Sequence, residues 1–111
     1  ADKASFSLSA NGGAVGSHEL GLSLPAGAIV TKVWVDELVA LDSDNDLAEL
    51  SLLAGSDELV AAADISNYSG INSFDLSSSP VKLAAEAKLI LEISVEDLTA
   101  GELRIFVEYL L

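Results

Sequence analysis

The chain has 111 residues, which is the length of one domain with a hydrophobic core of its own. Half of the residues are hydrophobic and none is cysteine, so aliphatic packing rather than disulfide bonds must hold the fold together. Eighteen acids against five bases give a formal net charge of −13, which argues against direct contacts with nucleic acid and with anionic membrane surfaces.

Two short strands separated by a turn are predicted for the first 24 residues. Apolar side chains alternate with serines over residues 4–10, as in a strand with one buried face. An Asn-Gly-Gly sequence at residues 11–13 is typical of a hairpin turn, and leucines alternate again over residues 17–24, with His18 on their side. Pro25 ends this segment because it cannot donate a hydrogen bond to a strand ladder.

The middle of the chain predicts two strands and one short helix. Residues 28–41 are rich in β-branched side chains, and their alternation changes near Asp36, where a bulge is expected. Residues 47–54 alternate as a strand after an acidic loop. Ser56 and the two acids that follow it are typical of a helix N-terminus, which favours one or two helical turns over residues 57–63, with a strand as the alternative.

The last third of the chain predicts a hairpin that runs to the final residue. Residues 81–87 fit no single pattern, whereas residues 88–96 alternate cleanly. After a turn at residues 99–101, one side of the closing strand is purely apolar, and the other carries Phe106 and Leu110 among charged residues. Apolar residues on both sides predict that this strand is central in its sheet or is covered by a second surface.

Short strands separated by turn signals define the fold class. About seven or eight of them predict a single-domain, all-β antiparallel sandwich over residues 1–111, jelly-roll-like, with at most one short helix. The number of apolar residues on both sides of the strands predicts that other subunits cover part of the surface. The predicted interface consists of Val30, Trp34, Phe106 and Leu110.

No set of residues predicts catalysis or a cofactor, so an enzyme is not expected. His18 and Glu19 are adjacent on a strand and therefore face opposite ways, and no serine lies in a nucleophile-elbow sequence. Asp42, Asp44 and Asp46 have the spacing of the first ligands of a calcium loop. Leucines stand where that loop requires its glycine and its bidentate glutamate, so a solvated acidic turn is favoured over a metal site.

Trp34 and Tyr68 are the aromatic residues considered for stacking on sugars. Because a single tryptophan on a strand more often belongs to a core or an interface, a glycan-binding or adhesive module is the alternative function rather than the first.

Two segments resemble sequences of small structural proteins from tailed-phage virions. They are L-P-A-G-A-I-V-T-K-V at residues 24–33 and L-T-A-G-E-L-R-I-F-V-E-Y at residues 98–109, and the likeness extends from about Leu20 onward. The resemblance implies a non-enzymatic β-sandwich that decorates and cements a capsid, often as a homotrimer bound to the major capsid protein, or a small tail or fibre component. It implies localisation in the virion after synthesis in the host cytoplasm, and the first residues lack the basic and apolar regions of a secretory signal.

Overall fold

Two antiparallel β-sheets packed face to face form the protein, as described for residues 2–111 by a computed structural model. In chain order the elements are β1 (Asp2–Ser7), α1 (Leu8–Asn11), β2 (Gly16–Leu24), β3 (Ile29–Ser43), β4 (Glu49–Ala54), β5 (Asp57–Asp64), a 3₁₀ helix (Ile65–Tyr68), β6 (Ile71–Asp75), β7 (Val81–Lys82), β8 (Ala87–Ser94) and β9 (Leu98–Leu110). Sheet A has the strand order β1-β9-β3-β6, with β7 also paired to β3, and sheet B has the order β2-β8-β4-β5. The predicted all-β antiparallel sandwich is confirmed. Within residues 2–111, no helix is long and apolar enough to cross a membrane.

The core lies between the two sheets and consists almost entirely of aliphatic side chains. In sheet A, the alternation of β9 buries Leu103, Ile105 and Val107, as the sequence predicts. Sheet B contributes leucines and isoleucines from its two central strands, β4 and β8. Strand β9 lies between β1 and β3, so its predicted central position is confirmed.

The long strand β3 shifts its register with β9 at four places, of which the first two concern the sequence predictions. Thr31 is an extra residue, because Val30 pairs with Tyr109 and Lys32 pairs with the next residue of β9, Glu108. A second irregularity follows Glu37, close to the predicted bulge. A bulge of this kind reverses the side to which the following residues point. It therefore determines which alternate side chains of β3 face the core after the bulge.

Residues 57–63 form a strand, so the predicted helix is wrong. Strand β5 pairs with β4, and its register shifts twice between Leu50 and Leu53 of that strand. As a result, the consecutive residues Leu59 and Val60 are both buried, which a regular strand would not allow. The bulges remove the two-residue period and leave a pattern that resembles a helical face.

The first predicted strand is shorter than expected. It ends at Ser7, whose hydroxyl accepts a hydrogen bond from the Ala10 N–H and caps the short helix α1. Since β1 and β2 belong to different sheets, residues 11–13 cross between sheets rather than forming a hairpin. Gly13 is required there, because a Cβ atom at this position would collide with the Leu98 carbonyl and the Leu8 side chain.

The predicted closing hairpin is also wrong. Strands β8 and β9 lie in different sheets, and the chain passes between them over residues 95–97. Residues 99–101, predicted as a turn, lie inside β9, where Gly101 adopts a φ of 145° and its Cα hydrogen faces Leu41. Residues 81–87, which fitted no pattern, contribute only the two-residue strand β7 before β8 begins at Ala87.

Candidate functional site

The surface of sheet A that points away from sheet B presents the side chains that alternate with the core residues. We call it the outer face and define it by the outward residues of sheet A between Glu102 and Leu110 of β9. These residues are Lys3, Ser5 and Ser7 on β1, Glu102, Arg104, Phe106, Glu108 and Leu110 on β9, Ile29, Lys32, Trp34, Asp36 and Val39 on β3, Ile71, Ser73 and Asp75 on β6, and Lys82 on β7.

Two aromatic side chains stand at the centre of the outer face. Trp34 and Phe106 are directly paired across β3 and β9, and Trp34 is 38% exposed. Ile71, on the neighbouring strand β6, is 73% exposed. With Asp36, these three side chains line a shallow cleft of about 340 Å³. Large apolar side chains that remain exposed next to one another mark a surface that can bind something.

Charged residues flank the aromatic pair on both sides. Asp36 and Arg104 are paired across the strands, and their Oδ2 and Nη2 atoms are 2.6 Å apart. On the other side Lys32 is paired with Glu108, and the Lys32 Nζ atom lies 4.3 Å from the centroid of the Trp34 ring. A cation at this distance over an exposed indole is held by roughly 0.5–1 kcal/mol. The ion pair and this contact fix the orientation of the side chains around the cleft.

The outer face is electrically neutral in a strongly acidic protein. It carries four of the five bases and only four of the eighteen acids, so its formal charge is zero. The other fourteen acids and one base lie elsewhere on the chain. A partner that approaches the outer face therefore meets the part of the surface where like-charge repulsion and the desolvation of unpaired acids are smallest.

Three of the four predicted interface residues lie on this side of sheet A, where Trp34 and Leu110 are exposed and Phe106 is half-buried. Trp34 and Phe106 form its centre, and Leu110 lies beyond Glu108 on the same side of β9 and is 60% exposed. Val30 does not belong to this surface: it is completely buried in the core, because the extra residue Thr31 separates it from the alternation that carries Trp34 outward. Sequence reasoning missed Asp36 and Ile71, which line the cleft, and Arg104, which pairs with Asp36. Ile71 reaches the cleft only because β6 pairs with β3.

Asp42, Asp44 and Asp46 are the candidate metal ligands in the acidic loop. Among residues 2–111, no group of three or more His, Cys, Asp or Glu side chains is placed to hold a metal ion. The side-chain hydrogen bond between Asp46 and Asp42, followed by the repulsion of their like charges, raises the pKa of Asp46. Glu96 instead organises the loop by accepting hydrogen bonds from its backbone.

His18 and Tyr68 have structural positions. The two ring nitrogens of His18 lie 2.9 Å from the Asn11 carbonyl oxygen and 2.7 Å from that of Ala14, so the ring holds the crossing between the sheets. Tyr68 is fully buried, and its hydroxyl donates to the Leu50 carbonyl at 2.8 Å. Burial raises the pKa of Tyr68 to about 12. Tyr68 is therefore not available to stack on a sugar, contrary to its candidacy from the sequence.

No protein-family model, no curated protein and no solved structure matches this chain. The outer face is therefore interpreted from its own geometry.

Proposed function

We propose that this chain is a structural protein of a bacteriophage particle, a decoration or cement protein that stabilises the assembled head. It acts without catalysis, in the virion, as an oligomer that also contacts the major capsid protein. The observation that carries the proposal is the pairing of the exposed Trp34 with the half-buried Phe106 at the centre of an electrically neutral face. The resemblance of the segments at residues 24–33 and 98–109 to small virion proteins supports the phage assignment.

The mechanism is stabilisation by mass action. A protein that binds assembled subunits and not the separate ones shifts the equilibrium toward the assembly. Burial of the Trp34, Phe106 and Ile71 side chains supplies the free energy, at ~25 cal/mol per Å² of apolar surface before ordering costs. The fourteen acids outside the outer face remain in water, where they keep the assembled particles apart.

A single substitution in the centre of the outer face tests the proposal. Phe106→Asp places a charge where the aromatic pair is expected to be buried, and we expect it to abolish incorporation into particles. Ser23→Asp is the matched control, because it adds the same charge at an exposed position on sheet B. Both variants should fold, as circular dichroism would check. Normal incorporation of a folded Phe106→Asp protein would disprove the role of this face.

A glycan-binding adhesive module at a tail or fibre tip is the second candidate function. The observation that favours it is the cleft, in which two aromatic rings lie beside the carboxylate of Asp36. Sugar sites commonly combine an apolar platform with a few polar groups that fix orientation. Glycan-array binding that is lost in Trp34→Ala would support this function, and an array without signal would exclude the sugars it displays.

A further inference from the structure

We propose that two copies of this chain pack with their outer faces together, related by a two-fold axis that lies in the plane of the face. The inference rests on the proposed function in one respect, which is the assignment of the outer face to contacts between subunits. It goes further by naming the occupant, a second copy of the same chain, and the symmetry of the contact. It therefore favours a face-to-face pair as the unit of assembly over the trimer that the resemblance implies.

The charges of the outer face alternate in sign around the aromatic pair. Along β3 the outward order is Lys32, Trp34, Asp36, which is base, aromatic, acid. Along β9 the residues directly opposite are Glu108, Phe106 and Arg104, which is acid, aromatic, base. The four charges thus form a quadrupole, with like signs on the diagonals and an apolar centre.

A two-fold axis that runs along the strands, midway between β3 and β9, makes this pattern complementary to itself. The axis places β3 of one copy over β9 of the other. Lys32 then faces Glu108 of the second copy, Trp34 faces its Phe106, and Asp36 faces its Arg104. The three central rows, between β3 of one copy and β9 of the other, therefore join opposite charges or two aromatic rings, which are the pairings that give an interface specificity.

A two-fold axis across the strands, through the aromatic row, gives the same result. Lys32 then faces Asp36 of the second copy, and Glu108 faces its Arg104. Each aromatic ring faces its own counterpart, and aromatic pairs are favourable in offset or edge-to-face arrangements. Both axes bring opposite charges together, whereas an in-plane axis at 45° to the strands would place like charges opposite each other. The charge pattern therefore favours face-to-face pairs whose strands run parallel or antiparallel over pairs whose strands cross at right angles.

The area of the outer face indicates a weak pair. Four strands ~4.8 Å apart and ~3.4 Å per residue between Glu102 and Leu110 outline roughly 500 Å² per copy. Stable interfaces bury about 800 Å² per partner, so we expect a dissociation constant in the micromolar range or weaker. In an assembled particle, additional contacts raise the effective concentration of the partners, and a weak pair is sufficient there.

Two double variants test the pairing by charge complementation. The first, Lys32→Glu with Arg104→Glu, makes the flanks of the aromatic pair entirely acidic. The second, Asp36→Lys with Glu108→Lys, makes them entirely basic. Each variant alone should self-associate about 100-fold more weakly than the wild type, because like charges then face each other. An equimolar mixture should recover the association, measured by sedimentation equilibrium.

A measurement on the unaltered protein keeps the proposal testable if a double variant does not fold. Nitrogen-15 NMR spectra of the wild type should change with protein concentration at Trp34 and along β3 and β9, and not along the outer side of sheet B.

Three results would overturn the proposal. They are a wild type that is still monomeric at millimolar concentration, a trimeric mass, and a mixture that fails to associate although both variants fold. If the wild type does not pair but Phe106→Asp still abolishes incorporation into particles, this inference is wrong and the proposed function stands. If the wild type pairs in solution but Phe106→Asp has no effect on incorporation, the proposed function is wrong and the pairing stands.

Discussion

Glu96 binds Asn45 twice across the end of the sandwich. Its Oε1 atom accepts the Asn45 backbone N–H at 2.9 Å, and its Oε2 atom accepts the Asn45 side-chain amide at 2.8 Å. A further contact of 3.4 Å to the Leu47 N–H ties the same carboxylate to the end of the acidic loop. Hydrogen bonds to the ionised form lower the pKa of Glu96 from its usual 4.5 to about 2, with that of the Ser43 hydroxyl the largest contribution.

The lowered pKa of Glu96 predicts a loss of stability in acid. A carboxylate whose pKa is lower in the folded state contributes stability that is present above its unfolded pKa and is lost as the pH falls toward the folded value. The window for Glu96 is therefore from about pH 5 to about pH 2. We expect Glu96→Gln to lower the melting temperature at neutral pH and to reduce the further decrease across this window. Thermal unfolding followed by circular dichroism at several pH values measures both effects. The exposed Glu86→Gln change is the control, and equal behaviour of the two variants would contradict the role of Glu96.

Ionised Asp46, in the same loop, is predicted to destabilise the folded protein, whereas ionised Glu96 stabilises it. Its pKa is raised, first by its side-chain contact and charge repulsion with Asp42 and then by Glu96 and Asp64, so its charged form opposes folding. Its backbone has a φ of 57°, a left-handed conformation in which asparagine is well tolerated. We expect Asp46→Asn to raise the melting temperature at neutral pH, with the gain shrinking as the pH falls and Asp46 becomes protonated. A lower melting temperature at neutral pH would show that the aspartate is needed there.

The buried hydroxyl of Tyr68 predicts a measurable contribution to stability. Tyr68→Phe keeps the ring, including its 5.7 Å contact with the Phe74 ring, and removes only the hydrogen bond to Leu50. The expected cost is about 1–3 kcal/mol of unfolding free energy, because a buried carbonyl loses this donor. Urea unfolding of the variant and the wild type gives the difference. Tyr109→Phe is a comparison near the end of β9, where the lost partner is the Asp2 carboxylate. It should cost less, because water can replace the lost hydrogen bond at this less buried position.

The sequence predicts which side of the sheet a residue faces where the strand alternates regularly, and it fails where the pairing with another strand shifts that alternation. The regular pattern of β9 correctly separates Ile105 from Phe106, because each residue's side depends only on its neighbours along the strand. The side that Val30 faces depends on the bulge at Thr31, and this bulge can be recognised only from the pairing of β3 with β9. Ile71 stands alone in a segment of serine, asparagine and glycine, and it reaches the cleft because β6 pairs it with Asp36. Such relationships join residues far apart in the chain and have no local signal.

The bulge at Thr31 predicts that one residue can be removed from the middle of sheet A without reversing the strand. Val30 points inward and Lys32 outward, so deleting Thr31 restores the regular alternation and leaves both residues on their present sides. The deletion costs the hydrogen bond from the Leu76 N–H to the Thr31 carbonyl and that from the Thr31 hydroxyl to Glu108. We expect a folded protein with a lower melting temperature and an unchanged Trp34 fluorescence maximum. Deleting Val35, in the regular part of the same strand, should unfold the domain, since every residue on one side of the deletion would have to change faces. Equal damage from the two deletions would show that the bulge does not absorb the extra residue.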